Sequence, residues 1–172
     1  RFTIENTGPS LVCPADATVE CYADIVAGTP VVTTNCDLAY SVTNTAAVLV
    51  SGQAACEGAE YEITYTVTDE CGRSASCIQS FTIENTGPTI TCVADQTVEC
   101  YADIATSTPT VNVSCDLAYS VSNTTPQLLT GTDGCDGARY EVTFTVTDEC
   151  GRSASCTQTF TLDNNPPVVV CP

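Results

Sequence analysis

Carboxylate and amide side chains recur beside the short turns of this 172-residue sequence, and calcium binding is the chemistry that they could support. Their oxygen atoms are hard ligands of the kind that Ca²⁺ prefers. No EF-hand-type loop is present, so the competing interpretation is that they are ordinary turn and capping residues on an acidic surface. The chain is predicted to consist of repeated units, and the candidate ligands are placed where one unit meets the next. They are Glu5, Asn6, Asp37, Asp69, Glu70, Glu84, Asn85, Asp116, Asp148, Glu149 and Asp163.

The cysteines form the second chemically informative set. The chain has 13 of them, no histidine and no CxxC pair, which favours a disulfide framework over zinc ligation. No base or cation stands beside a cysteine in a pattern that would lower a thiol pKa, so a redox-active thiol is not expected. The cysteine content therefore predicts an oxidising location, outside the cell or at its surface.

The charge balance excludes several classes of partner. The chain has 21 acidic residues, four basic residues and a net charge of −17. Nucleic acids and anionic membranes require a cationic surface, so neither is an expected partner, and insertion into a membrane is not expected. Without histidine or a reactive thiol, the usual acid–base and nucleophile arrangements are missing, and an enzyme is not expected.

The chain is a tandem repeat with a period of 79 residues, since Phe2, Phe81 and Phe160 stand in equivalent positions. Most positions of the two full copies are identical. The predicted organisation is the end of a preceding repeat with its linker (1–9), repeat 1 with its linker (10–88), repeat 2 with its linker (89–167) and the start of a further repeat (168–172).

Within each repeat, short alternating segments predict β-strands. The clearest is Tyr61–Thr68, where tyrosine, isoleucine and valine alternate with glutamate and threonine, as in a half-buried strand. Thr, Val, Ile and Tyr at period two, separated by Gly, Pro, Asn and Asp, predict about seven short strands per repeat. The predicted fold class is all-β, with tandem immunoglobulin-like β-sandwiches held by disulfides.

The sequence YTVTDECGRSASC, followed by a strand, a Gly-Pro step and ITCVADQTVEC, resembles the hyalin-repeat (HYR) type of immunoglobulin-like module. More closely, it is similar to the cysteine-rich tandem repeats of large cell-surface adhesins of Bacteroidota, with Arg73 and Arg152 where those repeats usually have asparagine. The resemblance implies a structural segment of a long extracellular adhesin, stalk or filament. Its partners would be neighbouring repeats and identical chains. The alternative is an adhesion module that binds surface glycans or proteins.

Each repeat has six cysteines, which allow fifteen pairings. The sandwich geometry favours one of these pairings. In such a sandwich the first strand lies beside the last, and the loops at each end of the sandwich approach one another. The favoured set is Cys13–Cys77, Cys36–Cys71 and Cys21–Cys56 in the first repeat, and Cys92–Cys156, Cys115–Cys150 and Cys100–Cys135 in the second.

Overall fold

The computed structural model describes residue 1 and residues 6–164, and within them it confirms the all-β sandwich fold. The chain divides into two compact units, Arg1–Thr86 and Gly87–Pro172, where the sequence predicts repeats at 10–88 and 89–167. The predicted start of a further repeat at 168–172 lies outside the described residues.

The described part of the first unit, residues 6–86, contains seven strands, in agreement with the predicted number. They are β1 (Ser10–Val12), β2 (Ala17–Val19), β3 (Val31–Thr33), β4 (Tyr40–Asn44), β5 (Val48–Ser51), β6 (Glu60–Asp69) and β7 (Ser74–Ile83).

In the second unit, residues 87–164 repeat this order with seven further strands. They are β8 (Thr89–Thr91), β9 (Gln96–Val98), β10 (Thr110–Asn112), β11 (Tyr119–Asn123), β12 (Gln127–Thr130), β13 (Arg139–Asp148) and β14 (Ser153–Leu162).

The described helices are three single turns of 3₁₀ helix, Tyr22–Asp24, Tyr101–Asp103 and Ser114–Asp116. No helix within the described ranges is long and apolar enough to cross a membrane.

Each unit has two layers of strands. In the first, β1 and β3 form a two-stranded antiparallel sheet, and β2, β7, β6 and β4 form the larger sheet in that order, with β5 also pairing with β6. β2 runs parallel to β7, whereas β6 pairs antiparallel with β7 over nine residue pairs. β8–β14 have the same arrangement in the second unit.

The long hairpin β6–β7 supplies most of the core. Tyr61, Ile63, Tyr65 and Val67 are buried and alternate with half-buried residues, because successive side chains of a strand point to opposite faces. Phe81 and other residues of β7 pack against them. The predicted alternation of Tyr61–Thr68 is therefore confirmed.

A buried polar contact distinguishes the cores of the two units. The Tyr65 hydroxyl donates to the Gln79 side-chain oxygen at 2.8 Å, and the Gln79 amide nitrogen donates to the Ala15 carbonyl at 2.7 Å. In the second unit Phe144 stands at the position of Tyr65 and has no hydroxyl. The oxygen of the fully buried Gln158 consequently has no hydrogen-bond partner among the described residues. A buried acceptor without a donor destabilises a fold by roughly 1–3 kcal/mol.

We therefore expect Phe144→Tyr to stabilise the second unit by about 1 kcal/mol, because the new hydroxyl can donate to Gln158. The reverse change, Tyr65→Phe, should destabilise the first unit by about 1–2 kcal/mol, because it leaves the Gln79 oxygen unpaired. Urea unfolding followed by circular dichroism measures both effects. Tyr40→Phe, which alters an exposed hydroxyl, is the control. Equal effects of Tyr40→Phe and Tyr65→Phe would contradict the assignment.

Candidate functional site

The turn between β6 and β7 is organised by one carboxylate. Oδ1 of Asp69 accepts the backbone N–H of Cys71 at 3.0 Å and that of Arg73 at 2.9 Å. Gly72 lies between them with φ +80°, a conformation that glycine adopts at little cost. The side chain of Asp69 is only 1% exposed, so this carboxylate is part of the folded framework.

Arg73 connects that turn to the segment that leads into the unit. Its Nε donates to Asp69 Oδ2 at 2.9 Å, and its Nη2 lies 2.7 Å from the same oxygen. Its Nη1 donates to the backbone oxygen of Asn6 at 2.9 Å and to Asn6 Oδ1 at 2.5 Å. We call this set of contacts, Asp69–Arg73–Asn6, the linker contact. It holds a residue that the sequence assigns to the preceding linker.

The second unit has the same turn. Oδ1 of Asp148 accepts the backbone N–H of Arg152 at 2.8 Å, and Arg152 Nε donates to Asp148 Oδ2 at 3.0 Å. The aliphatic part of each arginine also lies beside a linker glycine: a Cβ placed on Gly8 would be 3.6 Å from Arg73 Cβ, and one on Gly87 would be 3.8 Å from Arg152 Cβ. The turn and its packing are thus properties of the repeat.

The segment that leaves each unit is held by a different contact. The Asn85 side-chain nitrogen donates to the Ala55 carbonyl at 2.8 Å, and Asn85 is 6% exposed. The Asn164 side-chain nitrogen donates to the Gly134 carbonyl at 3.2 Å. Asn6 and Asn85 occupy the same repeat position, so the first unit holds this asparagine at both its entrance and its exit.

The electrostatics of the turn favour an ionised Asp69. Burial acts to raise the pKa of Asp69, but the hydrogen bonds from the Arg73 backbone and guanidinium, together with the guanidinium charge, outweigh it. The pKa of Asp69 is therefore lowered from its usual value. The carboxylate and the guanidinium together form a charged pair beside the linker.

The candidate calcium ligands are not brought together into one set. Asp69 and Asp148 are bonded to arginine, Asn6 accepts from Arg73, and Asn85 donates to a carbonyl. Within residues 6–164 no group of three or more His, Cys, Asp or Glu side chains is arranged to hold a metal ion. Calcium at the linkers stays a prediction, for which exposed carboxylates would have to supply the ligands. Those are Asp37, Glu70, Glu84, Asp116, Glu149 and Asp163, whereas Glu5 lies outside the described residues.

Two of the predicted cysteine pairs are disulfides in the structure, Cys13–Cys77 and Cys92–Cys156, each with a Cα–Cα distance of 5.7 Å. In the first unit this bond joins the chain just after β1 to β7, so it connects the two layers of the sandwich.

Cys21, Cys56, Cys115 and Cys150 are also disulfide-bonded. Among the described cysteines of the first unit, the bonded partner left for Cys21 is Cys56. In the second unit, the bonded partner left for Cys115 is Cys150.

The predicted pairs Cys36–Cys71 and Cys100–Cys135 are not bonded in the structure, where all four cysteines are free and exposed. The fold does not impose this difference between the units. Cys36 has the same left-handed backbone as the bonded Cys115, with φ of 61° and 59°. The N–H of Cys100 donates to Asp103 at 3.1 Å, as that of the bonded Cys21 does to Asp24 at 3.0 Å. The disulfides Cys36–Cys71 in the first unit and Cys100–Cys135 in the second therefore remain predictions for the oxidised protein.

The sequence alone does not predict the role of Arg73, which stands where similar repeats usually have asparagine. The available signal was the Asp-Glu-Cys-Gly-Arg segment, which recurs unchanged and places an acidic and a basic residue four positions apart. The chain has only four basic residues, and one of them recurs at the same position of both repeats. This recurrence indicates that the arginine pairs with a specific acidic residue.

Comparisons with known proteins leave the family open. The chain matches no protein family, and it matches no curated protein sequence. It is similar to Drosophila N-cadherin EC1-4, with 14% identity and a TM-score of 0.38 over 92% of this chain. It is also similar to PcdhgB3 EC1-4, with 17% identity and a TM-score of 0.33 over 95% of this chain. The chain spans about half the length of each, 50% and 52%. At these TM-scores the likeness decides nothing about function.

The lowered pKa of Asp69 leads to a prediction about acid stability. The carboxylate stabilises the fold above its unfolded-state pKa of about 4, and this stabilisation is lost as the pH falls through the lowered folded-state pKa. We expect Asp69→Asn to melt at a lower temperature than the native protein at pH 7. The difference should shrink as the pH falls below about 4. Asp37→Asn, which removes an exposed carboxylate, is the control, and a difference for Asp69→Asn that is unchanged at low pH would contradict the prediction.

The free cysteines of each unit have the same local structure as the bonded cysteines at the equivalent positions of the other unit, and this leads to a prediction about oxidation. Protein refolded with oxidised glutathione should contain Cys36–Cys71 and Cys100–Cys135 in addition to the bonds already formed. Closing each of these loops should stabilise its unit by up to about 4 kcal/mol in the chain-entropy model. Peptide mapping by mass spectrometry without reduction identifies the pairs. Recovery of Cys36 or Cys100 as an alkylated thiol after oxidation, or in a different pair, would show the prediction to be wrong.

Proposed function

We propose that this chain is a structural repeat segment of a long extracellular adhesin, stalk or surface filament. Its role is to give length, stiffness and resistance to force, and it catalyses no reaction. The observation that carries the proposal is the holding of the linker asparagine at both ends of one unit, by Arg73 at the entrance and by the Ala55 carbonyl at the exit. A linker fixed to the body of a unit has fewer conformations than a free one.

The chemistry of the contact suits an exposed position in an extended array. A charge-assisted hydrogen bond to a carboxylate or an amide oxygen is stronger than a neutral one. Asp69 holds Arg73 through its guanidinium and its backbone, so the side chain is already oriented before it meets the linker. The arginine also supplies a fixed positive charge beside Asp69.

Disulfides fit the same role. Cys13–Cys77 encloses most of a repeat, with a sequence separation of 64, and Cys92–Cys156 does the same in the second unit. Such bonds persist in oxidising surroundings and are rare in the cytosol. They support a location outside the cell, in keeping with the acidic, lysine-free composition.

A direct test measures the stiffness of the linker. Fluorescent labels at the two ends of the chain report the distribution of end-to-end distances by single-molecule energy transfer. We expect Arg73→Ala with Arg152→Ala to broaden this distribution, because Arg73 no longer donates to Asn6 and the equivalent arginine of the second unit is removed with it. Arg139→Ala is the matched control, since it removes an exposed arginine that lies on β13, outside the turn.

Two outcomes bear on the alternatives. An unchanged distance distribution in the double variant would contradict the stiffening role of Arg73. Repeating the measurement with excess calcium and then with a chelator tests the calcium prediction separately, since calcium at the linkers should narrow the distribution of both proteins.

The alternative function, a module that binds glycans or proteins, has one observation in its favour. The second unit has an open groove of about 560 Å³ lined by Tyr101, Pro126, Leu128, Asp133, Gly134 and Tyr140. The Tyr140 hydroxyl donates to the Asp133 carboxylate, and this bond is the main cause of the raised pKa of Tyr140. In the first unit alanine replaces both Pro126 and Asp133. A glycan array that gave binding abolished by Asp133→Ala would favour this alternative.

A further inference from the structure

The larger sheet of each unit ends in an edge that no described strand covers. β4 and β5 both pair with β6, and neither pairs with another strand on its far side among the described residues. Every residue of β4 and β5 is exposed, and so is every residue of the equivalent strands β11 and β12. Their outer N–H and C=O groups are therefore available for hydrogen bonding.

The apolar face of the sheet continues onto this edge. Val42 pairs with Val67 and so lies on the same face, yet Val42 is 39% exposed whereas Val67 is fully buried. Leu49, which pairs with the buried Tyr61, is also 39% exposed. The core therefore does not extend to the edge of the sheet, and a strip of core-type side chains faces solvent.

The second unit has the same strip, built from equivalent residues. Tyr119, Val121 and Leu128 are 53%, 41% and 44% exposed. Tyr119 and Val121 pair with Asp148 and Val146, both buried. An exposed apolar strip that recurs in each unit is a feature of the repeat, and a solvent-exposed apolar patch of this kind marks an interaction surface.

The edge also lacks charge. Residues 40–51 and 119–130 contain no Asp, Glu, Lys or Arg, although the chain has a net charge of −17. Exposed edge strands of soluble proteins are ordinarily protected from pairing by charged side chains, prolines or bulges. Here β4 and β11 carry none of these, whereas β5 and β12 each shift register near their ends. The unprotected strand is therefore β4, and β11 in the second unit.

We propose that the uncharged edge of each unit, residues 40–51 in the first and 119–130 in the second, pairs side by side with an equivalent edge of a second copy of the chain. β4 would hydrogen-bond to β4 or β11 of that copy, and the apolar strips of the two copies would cover each other. Two chains of charge −17 repel one another over most of their surface, and the edge is the part where they can approach closely. A contact between identical patches also closes by two-fold symmetry.

This pairing goes beyond the spacer function and does not depend on it, because monomeric chains could still form a stiff thread. It accounts for a feature that a lone thread does not need, since an exposed apolar edge on an isolated stalk only invites aggregation. Repeats that pair in this way would join threads laterally into a filament.

Sedimentation velocity over a range of concentrations tests the proposal, after the exposed thiols have been alkylated so that no intermolecular disulfide forms. We expect a concentration-dependent dimer that is strengthened by salt, because salt screens the repulsion between the chains. Val42→Lys with Val121→Lys should weaken this association at least about tenfold, since like charges would then face each other across the paired edges. Thr43→Lys with Ser122→Lys, which keeps the apolar strip intact, should also weaken it.

The matched control is Ile78→Lys with Thr157→Lys, which adds the same charge at exposed positions on the interior strands β7 and β14. This variant should associate as the native protein does. Circular dichroism establishes that each variant is folded. A native protein that stays monomeric at every concentration and at high salt would overturn the proposal. So would equal weakening by the control variant.

Discussion

The ion pair between Asp69 and Arg73 is the interaction on which the arrangement of the linker depends. Asp69 closes the β6–β7 turn through two backbone N–H groups, and the same carboxylate orients the guanidinium that holds Asn6. A turn that any hairpin needs is thereby used to fix the segment that enters the unit. The ion pair exists only while Asp69 is ionised, so the contact that holds Asn6 is linked to the charge state of a single buried carboxylate.

The fold could be predicted because its signals are local. The alternation of Tyr61–Thr68 gives the inner and outer faces of β6 directly, and the internal repeat gives the second unit. The roles of the linker residues could not be predicted in this way, because Asn6 and Arg73 are far apart in sequence and meet only after folding. An asparagine beside acidic residues is an equally good calcium ligand or hydrogen-bond acceptor, and only the position of the guanidinium distinguishes the two roles.

The two units show which parts of the repeat are fixed and which vary. Both keep the Asp–Arg turn, the linker asparagine and the bond between the layers, although they differ at Tyr65 and Phe144 in the core and at Ala54 and Asp133 on the surface. These shared features concern the ends of the unit and the connection between its two layers. Variation is tolerated where a residue serves only its own unit, as with the unpaired oxygen of Gln158.

The position of the Cys13–Cys77 bond has a consequence for a thread under tension. A pulling force enters the unit near Cys13 and leaves near Cys77, so it passes through the bond and bypasses the residues in between. Only the segment from Cys77 to Cys92 can lengthen. Even if every strand were pulled apart, a repeat could reach roughly 50 Å instead of roughly 270 Å for the same chain without the bond, at about 3.4 Å per residue. In any thread built from such repeats, the oxidation state of one bond per repeat would thus set the greatest length to which the thread can be drawn.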